Sequence, residues 1–276
     1  MAVHAGPRAI ASTGADGVLG SRLTALLAGR DVRLIDRRRG HELEHASTYT
    51  ALIRGCDAII HTAALHPLVA PAGTGSREYA AANVAPVAAL LEVANREGVG
   101  RIVLVSSTSV WNGAAPGHPA RFLDETVPAD AVDGYGLSKR DCEALARAAP
   151  LASVVVRLAR FARRGDDADA VRLLHRAIDP DDAATAVAAA LDRALSGSLY
   201  AISAPTPFRR EDAAALAVDP RAVIRLRTGR MPRWAPPSIG SVVVADLATR
   251  ELEWRAAFPS PLYSAAGARR SERTGP

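Results

Sequence analysis

The chain has 276 residues, 49% of them hydrophobic and 23% charged, and a formal net charge of +5 at pH 7. This length provides for one large domain, or one domain with a small lobe, around a substantial buried core. The basic residues are scattered and only 4% of residues are aromatic, which argues against nucleic-acid binding, and no apolar run reaches the roughly 18 residues of a membrane helix.

Predicted strands and helices alternate along the first part of the chain. The strands are short apolar runs, clearest in the segment Arg-Ile-Val-Leu-Val-Ser at 101–106. Alternation of apolar strands with helices is typical of a parallel sheet covered on both faces. The pattern therefore predicts a doubly wound, Rossmann-like α/β fold. Its strands are expected at 8–13, 32–36, 58–63, 101–106 and 153–158, and its helices at 17–27, 48–54, 79–97 and 135–149.

Beyond residue 160 the pattern becomes less regular. One helix is expected at 183–194, after the acidic segment Asp179-Pro180-Asp181-Asp182, whose carboxylates suit a helix N-terminus. One more strand is expected at 199–203. The predicted organisation is a Rossmann domain over 1–158, a small substrate-binding lobe, interleaved with the sheet, over 159–264, and a disordered tail over 265–276.

A glycine loop joins the first strand to the first helix, with Gly14, Gly17 and Gly20 at relative positions 1, 4 and 7. In this context the first glycine permits a tight turn, the second lets the backbone approach a pyrophosphate, and the third lets the helix pack against the sheet. The helix N-terminus adds free N–H groups and a partial positive charge. The loop therefore predicts a dinucleotide site.

Asp36 ends the second strand and bears on the choice between NAD and NADP. An acid at this position accepts hydrogen bonds from the adenosine ribose of NAD and repels a 2′-phosphate. Arg37, Arg38 and Arg39 follow it, and an arginine there would instead pair with that phosphate. We expect NAD, with NADP as the alternative.

Lys139 is the only lysine in the chain, and it lies four residues after Tyr135. A composition that uses arginine for every other basic residue indicates that this position needs a compact ammonium. Residues four apart share a helix face, so the ammonium is expected beside the phenol. A positive charge there favours the phenolate, which would let Tyr135 act as a general acid or base.

Ser106, Ser107, Thr108 and Ser109 follow the predicted strand at 101–106. A hydroxyl at this edge of a parallel sheet can hydrogen-bond a substrate oxygen and stabilise charge that develops on it. The alternative is a turn or a helix cap. The glycine loop before this cluster and the tyrosine–lysine pair after it favour the catalytic interpretation.

Taken in order, these motifs resemble the extended, epimerase/dehydratase-like branch of the short-chain dehydrogenase/reductase superfamily. Residues 13–20 match its TGxxGxxG cofactor loop, and 135–139 match its YxxxK motif. Further similarities are the strand ending in Ala63-Ala64, Asn83 in the following helix, the serine motif ending at Trp111, Arg157 in a later strand, and the late helix at 248–255.

The resemblance implies a role for individual residues. Tyr135 would move the hydroxyl proton, Lys139 would lower its pKa and bind the nicotinamide ribose, and Ser107 would orient the substrate oxygen. The cofactor residues implied are Gly14, Gly17, Val18, Leu19, Gly20, Asp36, Arg37, Glu42, Leu43, Ala63, Ala64, Asn83, Tyr135 and Lys139. The substrate residues implied are His66, Ser107, Thr108, Asn112 and Arg160.

Two departures from the family pattern narrow the substrate and the reaction. The acidic pair that 4,6-dehydratases carry in the serine motif is missing at Ser109 and its neighbour, which argues against dehydration. Arg160 stands where many sugar-nucleotide enzymes have asparagine, which argues against a nucleoside-diphosphate sugar. Arg160, Arg163 and Arg164 would either hold an anion or form a solvated run.

We therefore expect an NAD(P)-dependent oxidoreductase that transfers hydride to or from a secondary alcohol or carbonyl carbon of a sugar, sugar acid or natural-product intermediate. The alternatives are a sugar or nucleotide-sugar epimerase using bound NAD, and a non-catalytic nicotinamide-binding sensor or scaffold. The resemblance implies a homodimer formed through the helices at 79–97 and 135–149.

The remaining candidates are expected to be structural. Cys56 and Cys142 have no metal or disulfide spacing, and His61 is expected to be packed or bonded within the core. No secretory signal precedes the first strand. We expect a soluble cytoplasmic protein without metal, membrane or nucleic-acid partners.

Overall fold

The computed structural model describes residues 6–113 and 118–263. The tail predicted at 265–276 lies outside these residues. The strands are β1 (Ala9–Thr13), β2 (Asp31–Ile35), β3 (Ala58–His61), β4 (Arg101–Ser107), β5 (Arg121–Leu123), β6 (Ala152–Leu158), β7 (Arg160–Phe161), β8 (Ala177–Ile178), β9 (Leu199–Ile202) and β10 (Ser241–Val243).

Aspartate side chains cap two of the long helices at their N-termini. Asp133 accepts the Gly136 N–H at 2.6 Å, and Asp179 accepts the Asp181 N–H at 2.9 Å, which satisfies amides that a helix start leaves free. The helices are α1 (Val18–Leu26), α2 (Thr50–Ile53), α3 (Ser76–Tyr79), α4 (Ala85–Arg96), α5 (Gly134–Ala148), α6 (Asp167–Arg172), α7 (Pro180–Arg193), α8 (Ala213–Val218), α9 (Pro220–Thr228) and α10 (Asp246–Glu251).

The main sheet has six strands in the order β2-β1-β3-β4-β6-β9, and every pair is parallel. The chain moves from β1 to β2 on one side and then to β3 on the other side of β1. This reversal opens a crevice at the carboxyl ends of β1 and β3, where ligands bind in open α/β sheets. The predicted doubly wound fold is confirmed.

Helices cover both faces of the sheet. On one face α1 and α7 pack through Leu23, Val187 and neighbouring apolar residues. On the other, α2, α4 and α5 pack through Ile53, Leu90 and Ala146. Because both faces are covered, the central strands are mainly apolar, and Ile102 to Leu104 are fully buried.

The helix predicted at 79–97 differs from the structure at its start. It begins three residues earlier, with α3, and passes through a π-helical segment at Ala80–Val84 before α4. Such a turn inserts one extra residue and is frequent at functional sites. Here it contains Asn83, which is 3% exposed.

A second, smaller core lies beside the sheet. It includes Phe122 from β5, Leu174 after α6, and Leu216 and Ile224 from α8 and α9. β5 pairs with β10, so this lobe draws on a segment well before residue 158. In turn, α7 and β9 pack with the main sheet although they follow that residue. The bounds assigned to the two domains stay a prediction.

Candidate active site

The carboxyl ends of neighbouring strands carry the residues singled out in the sequence. Gly14 follows β1, Ala63 comes shortly after β3, Ser107 ends β4, and Arg160 comes shortly after β6. Since these strands are adjacent and parallel, the residues lie along one edge of the sheet.

The glycine loop after β1 has no room for side chains at Gly14 and Gly20. A Cβ on Gly14, whose φ is +69°, would lie 2.7 Å from the Ala63 nitrogen. A Cβ on Gly20 would collide with the Gly14 carbonyl oxygen and lie 2.8 Å from the Ala15 Cα. At these glycines only backbone atoms face a ligand at the N-terminus of α1, which fits a dinucleotide pyrophosphate.

The next positions of the loop have different surroundings. Gly17 is the N-cap of α1. Val18 is 57% exposed, whereas Leu19 is buried in the core beneath the loop. Val18 is therefore the side chain available to a ligand, and any contact of Leu19 with one would be made by its backbone.

Asp36 follows β2 and faces the glycine loop. Its carboxylate accepts the Asp16 N–H and the Arg38 N–H, each at 3.0 Å. Arg37 is exposed and forms an ion pair with Glu44 at 3.3 Å. Further along this loop, Glu42 pairs with His45 at 3.0 Å and Leu43 packs against the core. Their contacts with an adenosine stay a prediction.

The segment after β3 is tied to both neighbouring elements. The His61 imidazole Nδ1 lies 2.8 Å from the Thr13 hydroxyl, at the end of β1. Asn83 accepts the Leu65 N–H at 2.7 Å and donates to the Ser138 hydroxyl at 3.0 Å. His61 is thus packed, as expected, and Asn83 fixes the stretch containing Ala63 and Ala64 against α5.

Tyr135 lies in the first turn of α5 and is 6% exposed. Its ring meets the His66 ring edge-on at a centroid distance of 5.1 Å and the Tyr79 ring at 5.8 Å. Burial raises the pKa of Tyr135, and an interaction with Ser107 opposes that rise. The phenol is therefore fixed in orientation and close to the serine hydroxyl, and it is protonated at neutral pH.

Lys139 is also buried on α5, and its ammonium donates a hydrogen bond to the Val105 carbonyl of β4 at 2.9 Å. Among residues 6–113 and 118–263, no hydrogen bond joins it to the Tyr135 phenol. Burial lowers the pKa of His61 and of His66, and the charge of Lys139 adds to the effect. Lys139 thus lies near the ends of β3 and β4 and near the ring that packs on Tyr135.

The serine motif forms the end of β4 and a short 3₁₀ turn. The Ser107 hydroxyl accepts the Ser109 N–H and donates to the Ser109 hydroxyl, both at 3.1 Å. Ser107 therefore caps the turn, which was the alternative interpretation, and also lies beside Tyr135. The two interpretations are compatible here.

Thr108 and Asn112 have structural partners. Asn112 accepts the Val132 N–H at 2.8 Å and donates to Asp133, the N-cap of α5. The Thr108 carbonyl accepts a hydrogen bond from Arg176 at 2.5 Å. Sequence reasoning did not consider Arg176, which also donates to Ser241 of β10 at 3.0 Å and so links the serine motif to the smaller lobe.

The three arginines after β6 differ in whether they form an ion pair. Arg163 pairs with Asp166 at 2.9 Å, and Arg164 pairs with Asp179 at 2.6 Å. Arg160 is exposed and has no ion pair with any of the described residues. Desolvation, Lys139 and Arg160 together lower the pKa of His66. Arg160 follows the end of β6, where Leu158 pairs with Ser107 of β4, so it lies at the same edge as the serine.

A buried ion pair behind the site was missed by sequence reasoning. Glu143 on α5 binds the Arg157 guanidinium on β6 at 2.7 and 2.9 Å and the Ser106 hydroxyl at 2.6 Å. The Arg157 guanidinium also stacks over Trp111, 4.5 Å from the ring centroid. A charged residue inside the apolar run at 153–158 was the signal that a buried partner existed.

Neither a metal site nor a membrane-spanning helix is found among the described residues. No group of three or more His, Cys, Asp or Glu side chains there is arranged to hold a metal ion. Within the same residues, no helix has the length and apolar content needed to cross a bilayer.

The family comparison gives one match. The model of the NAD dependent epimerase/dehydratase family matches residues 10–163, which contain the glycine loop, the serine motif and Tyr135 with Lys139. Comparison with curated proteins found no match.

Solved structures share the fold at low identity. MoeE5 in complex with UDP-glucuronic acid and NAD is 22% identical, with a TM-score of 0.66 over 95% of this chain and 99% of that chain. A DesIV double mutant (dTDP-glucose 4,6-dehydratase) from Streptomyces venezuelae with NAD and DAU bound is 21% identical, with a TM-score of 0.67 over 96% and 95%. RMD from Pseudomonas aeruginosa complexed with NADPH is 17% identical, with a TM-score of 0.66 over 91% and 94%.

Proposed function

This chain belongs to the NAD dependent epimerase/dehydratase family, and from that premise we propose that it is an NAD(P)-dependent oxidoreductase. Its reaction is hydride transfer at a secondary alcohol or carbonyl carbon of a small sugar, sugar acid or natural-product intermediate. The observation that carries the proposal is the convergence of a buried tyrosine, a serine hydroxyl and a buried lysine at the edge where the glycine loop lies.

Tyr135 is the proton donor and acceptor in this proposal. When bound, the nicotinamide supplies or accepts the hydride. The Tyr135 Oη gives its proton to the substrate oxygen during reduction and removes it during oxidation. The Ser107 hydroxyl hydrogen-bonds the same oxygen and stabilises the negative charge that develops there.

Lys139 provides the positive charge that this chemistry needs. Burial, the largest cause of its raised pKa, favours the protonated form of Tyr135, which suits reduction but opposes the oxidative direction. A buried ammonium at the same edge favours the phenolate. The single lysine also carries a compact point charge on a flexible stem, which an arginine fork would not reproduce in so confined a position.

The bare glycine loop and Asp36 support NAD as the cofactor, with NADP as the alternative. NAD is present in the MoeE5 and DesIV structures and NADPH in the RMD structure. Gly14, Gly17 and Gly20 would hold the pyrophosphate, and Asp36 would face the adenosine ribose. Lys139 would bind the nicotinamide ribose.

Arg160 favours a substrate with a negative charge. It is the member of its run that lacks a carboxylate partner among the described residues, and it lies near His66 and Tyr135. A sugar acid would offer a carboxylate for a charge-assisted hydrogen bond with this guanidinium. The smaller lobe, built around Phe122 and Leu216, is the remaining wall of the substrate site.

A homodimer is a further part of the proposal. The outward residues of α5 include Arg140 and Ala144, and those of the π-helical segment and α4 include Ala81 and Ala85. The alanines among these residues would let two helix pairs approach closely. Light scattering at several concentrations distinguishes a dimer from a monomer.

The function is tested by following NAD reduction with a panel of sugars, uronates and hydroxyketones, in wild type and in Tyr135→Phe. We expect turnover of at least one panel member by the wild type and a loss of about a hundredfold or more in the variant. Dinucleotide binding without any turnover would favour a sensor, and release of an epimer without net change in NADH would favour an epimerase.

A further inference from the structure

The three arginines after Asp36 are all bound to groups of this chain. Arg39 donates two hydrogen bonds to the Asp16 carboxylate, from Nε at 2.9 Å and from Nη2 at 2.7 Å. Arg38 donates to the Asp16 carbonyl oxygen at 2.7 Å. Arg37 pairs with Glu44. Two of the three guanidinium groups therefore converge on one residue.

That residue, Asp16, belongs to the glycine loop between Gly14 and Gly17. Its N–H is bound by the Asp36 carboxylate at 3.0 Å. In folds of this kind the acid after the second strand faces the adenosine ribose, and a nearby arginine accommodates the 2′-phosphate of NADP. Asp16 and Arg39 thus meet beside the point where NAD and NADP differ.

We propose that Asp16 is a cofactor-specificity residue that selects NAD by holding Arg39. This inference rests on the proposed function, since it concerns the dinucleotide of that same site. The two-point pair neutralises the Arg39 charge and fixes its fork against Asp16 instead of a phosphate. Asp36 supplies a separate carboxylate at this end of the site, which would repel a phosphate dianion.

The charge state of the pair is consistent with this role. The hydrogen bond with Arg39 lowers the pKa of Asp16, so the carboxylate is ionised throughout the neutral range. Arg39 is 44% exposed and Asp16 is 24% exposed. A pair so accessible to water contributes little to the stability of the fold, so Asp16→Ala frees Arg39 for a phosphate without disturbing the core.

The test is the pair of dissociation constants for NADH and NADPH, measured by isothermal titration calorimetry on the full chain. In Asp16→Ala we expect the ratio of the NADPH to the NADH dissociation constant to fall about threefold to tenfold. In the double variant Asp16→Ala/Arg39→Ala the ratio should return toward the wild-type value. Asp31→Ala is the matched control, because it breaks an exposed arginine pair at the other end of β2.

An unchanged ratio in Asp16→Ala would overturn this inference, as would a gain in NADPH affinity that persists without Arg39. In both cases the wild type would still bind a dinucleotide, and the proposed function would stand. Failure of the wild type to bind either dinucleotide would instead overturn the proposed function itself. Thermal unfolding of each variant confirms that the binding data come from folded protein.

Discussion

Glu143 and Arg157 form a two-point ion pair, at 2.7 and 2.9 Å, between the helix that carries Tyr135 and the strand next to the serine motif. Both side chains are 5% exposed. The pair therefore fixes the depth of α5 against the sheet, and with it the positions of Tyr135 and Lys139 relative to Ser107.

Removing one partner of this pair should strongly destabilise the protein. Glu143→Ala leaves the Arg157 charge buried without compensation, and we expect the free energy of unfolding to fall by about 3 to 5 kcal/mol. Asp141→Ala, which breaks an exposed pair on the same helix, should cost less than about 1 kcal/mol. Urea unfolding measures both; equal losses would show that the buried pair does not anchor the helix.

Gly20 should tolerate no side chain. In Gly20→Ala the new methyl group collides with the Gly14 carbonyl and the Ala15 Cα, and overpacking of this kind costs about 1 to 3 kcal/mol. We expect the rise in melting temperature on adding NADH to disappear. Gly29→Ala is the control, since its Cβ meets nothing within 4 Å; a retained NADH response in Gly20→Ala would argue against the loop as the dinucleotide site.

His61 should make the protein less stable in mild acid. Burial lowers the pKa of His61 from 6.5 to about 3. The unfolded chain takes up a proton below about pH 6.5 while the folded chain does not. The free energy of unfolding is therefore unaffected by His61 above that pH, and it falls as the pH drops from there toward 3.

At pH 5 this loss is about 2 kcal/mol relative to pH 7. Urea unfolding of His61→Gln at pH 5, 6 and 7 should show a flatter pH dependence than the wild type. An identical slope in His61→Gln would mean that this imidazole does not resist protonation in the fold.

Arg160 should affect acidic and neutral substrates differently. With a substrate from the uronate class, Arg160→Ala removes the partner of the carboxylate, and we expect KM to rise about tenfold or more. A neutral sugar should show no such change. Arg163→Ala is the control, because Arg163 already pairs with Asp166 and Asp169. An equal rise in KM for both substrate types would remove the argument for an acidic substrate.

The sheet was predictable from the sequence because most of its strands are short, mainly apolar runs. The strand predicted at 101–106 forms β4, and the glycine loop and the YxxxK helix lie where their spacing indicated. Contacts between distant segments were not predictable. Phe122 joins a core with Leu216 and Ile224, and no periodicity in one segment reports a partner about a hundred residues away.

Side-chain pairing explains the other differences between the predicted and the observed site. The sequence shows three adjacent arginines after Asp36 but not that Arg39 turns back to Asp16 in the glycine loop. It also places Lys139 beside Tyr135, whereas the structure gives its hydrogen bond to the Val105 carbonyl. The long lysine side chain reaches a buried acceptor on β4, and the sequence of its own helix does not report that acceptor.

The most direct test of the lysine's role is the pH profile of kcat in Lys139→Arg, with the substrate that the panel identifies and with thermal unfolding to establish folding. We expect kcat to fall about a hundredfold and the profile of the oxidative direction to shift to higher pH, because the broad guanidinium cannot place its charge where the compact ammonium lies. A folded Lys139→Arg protein with wild-type kcat and an unshifted profile would contradict the proposed catalytic role of this lysine.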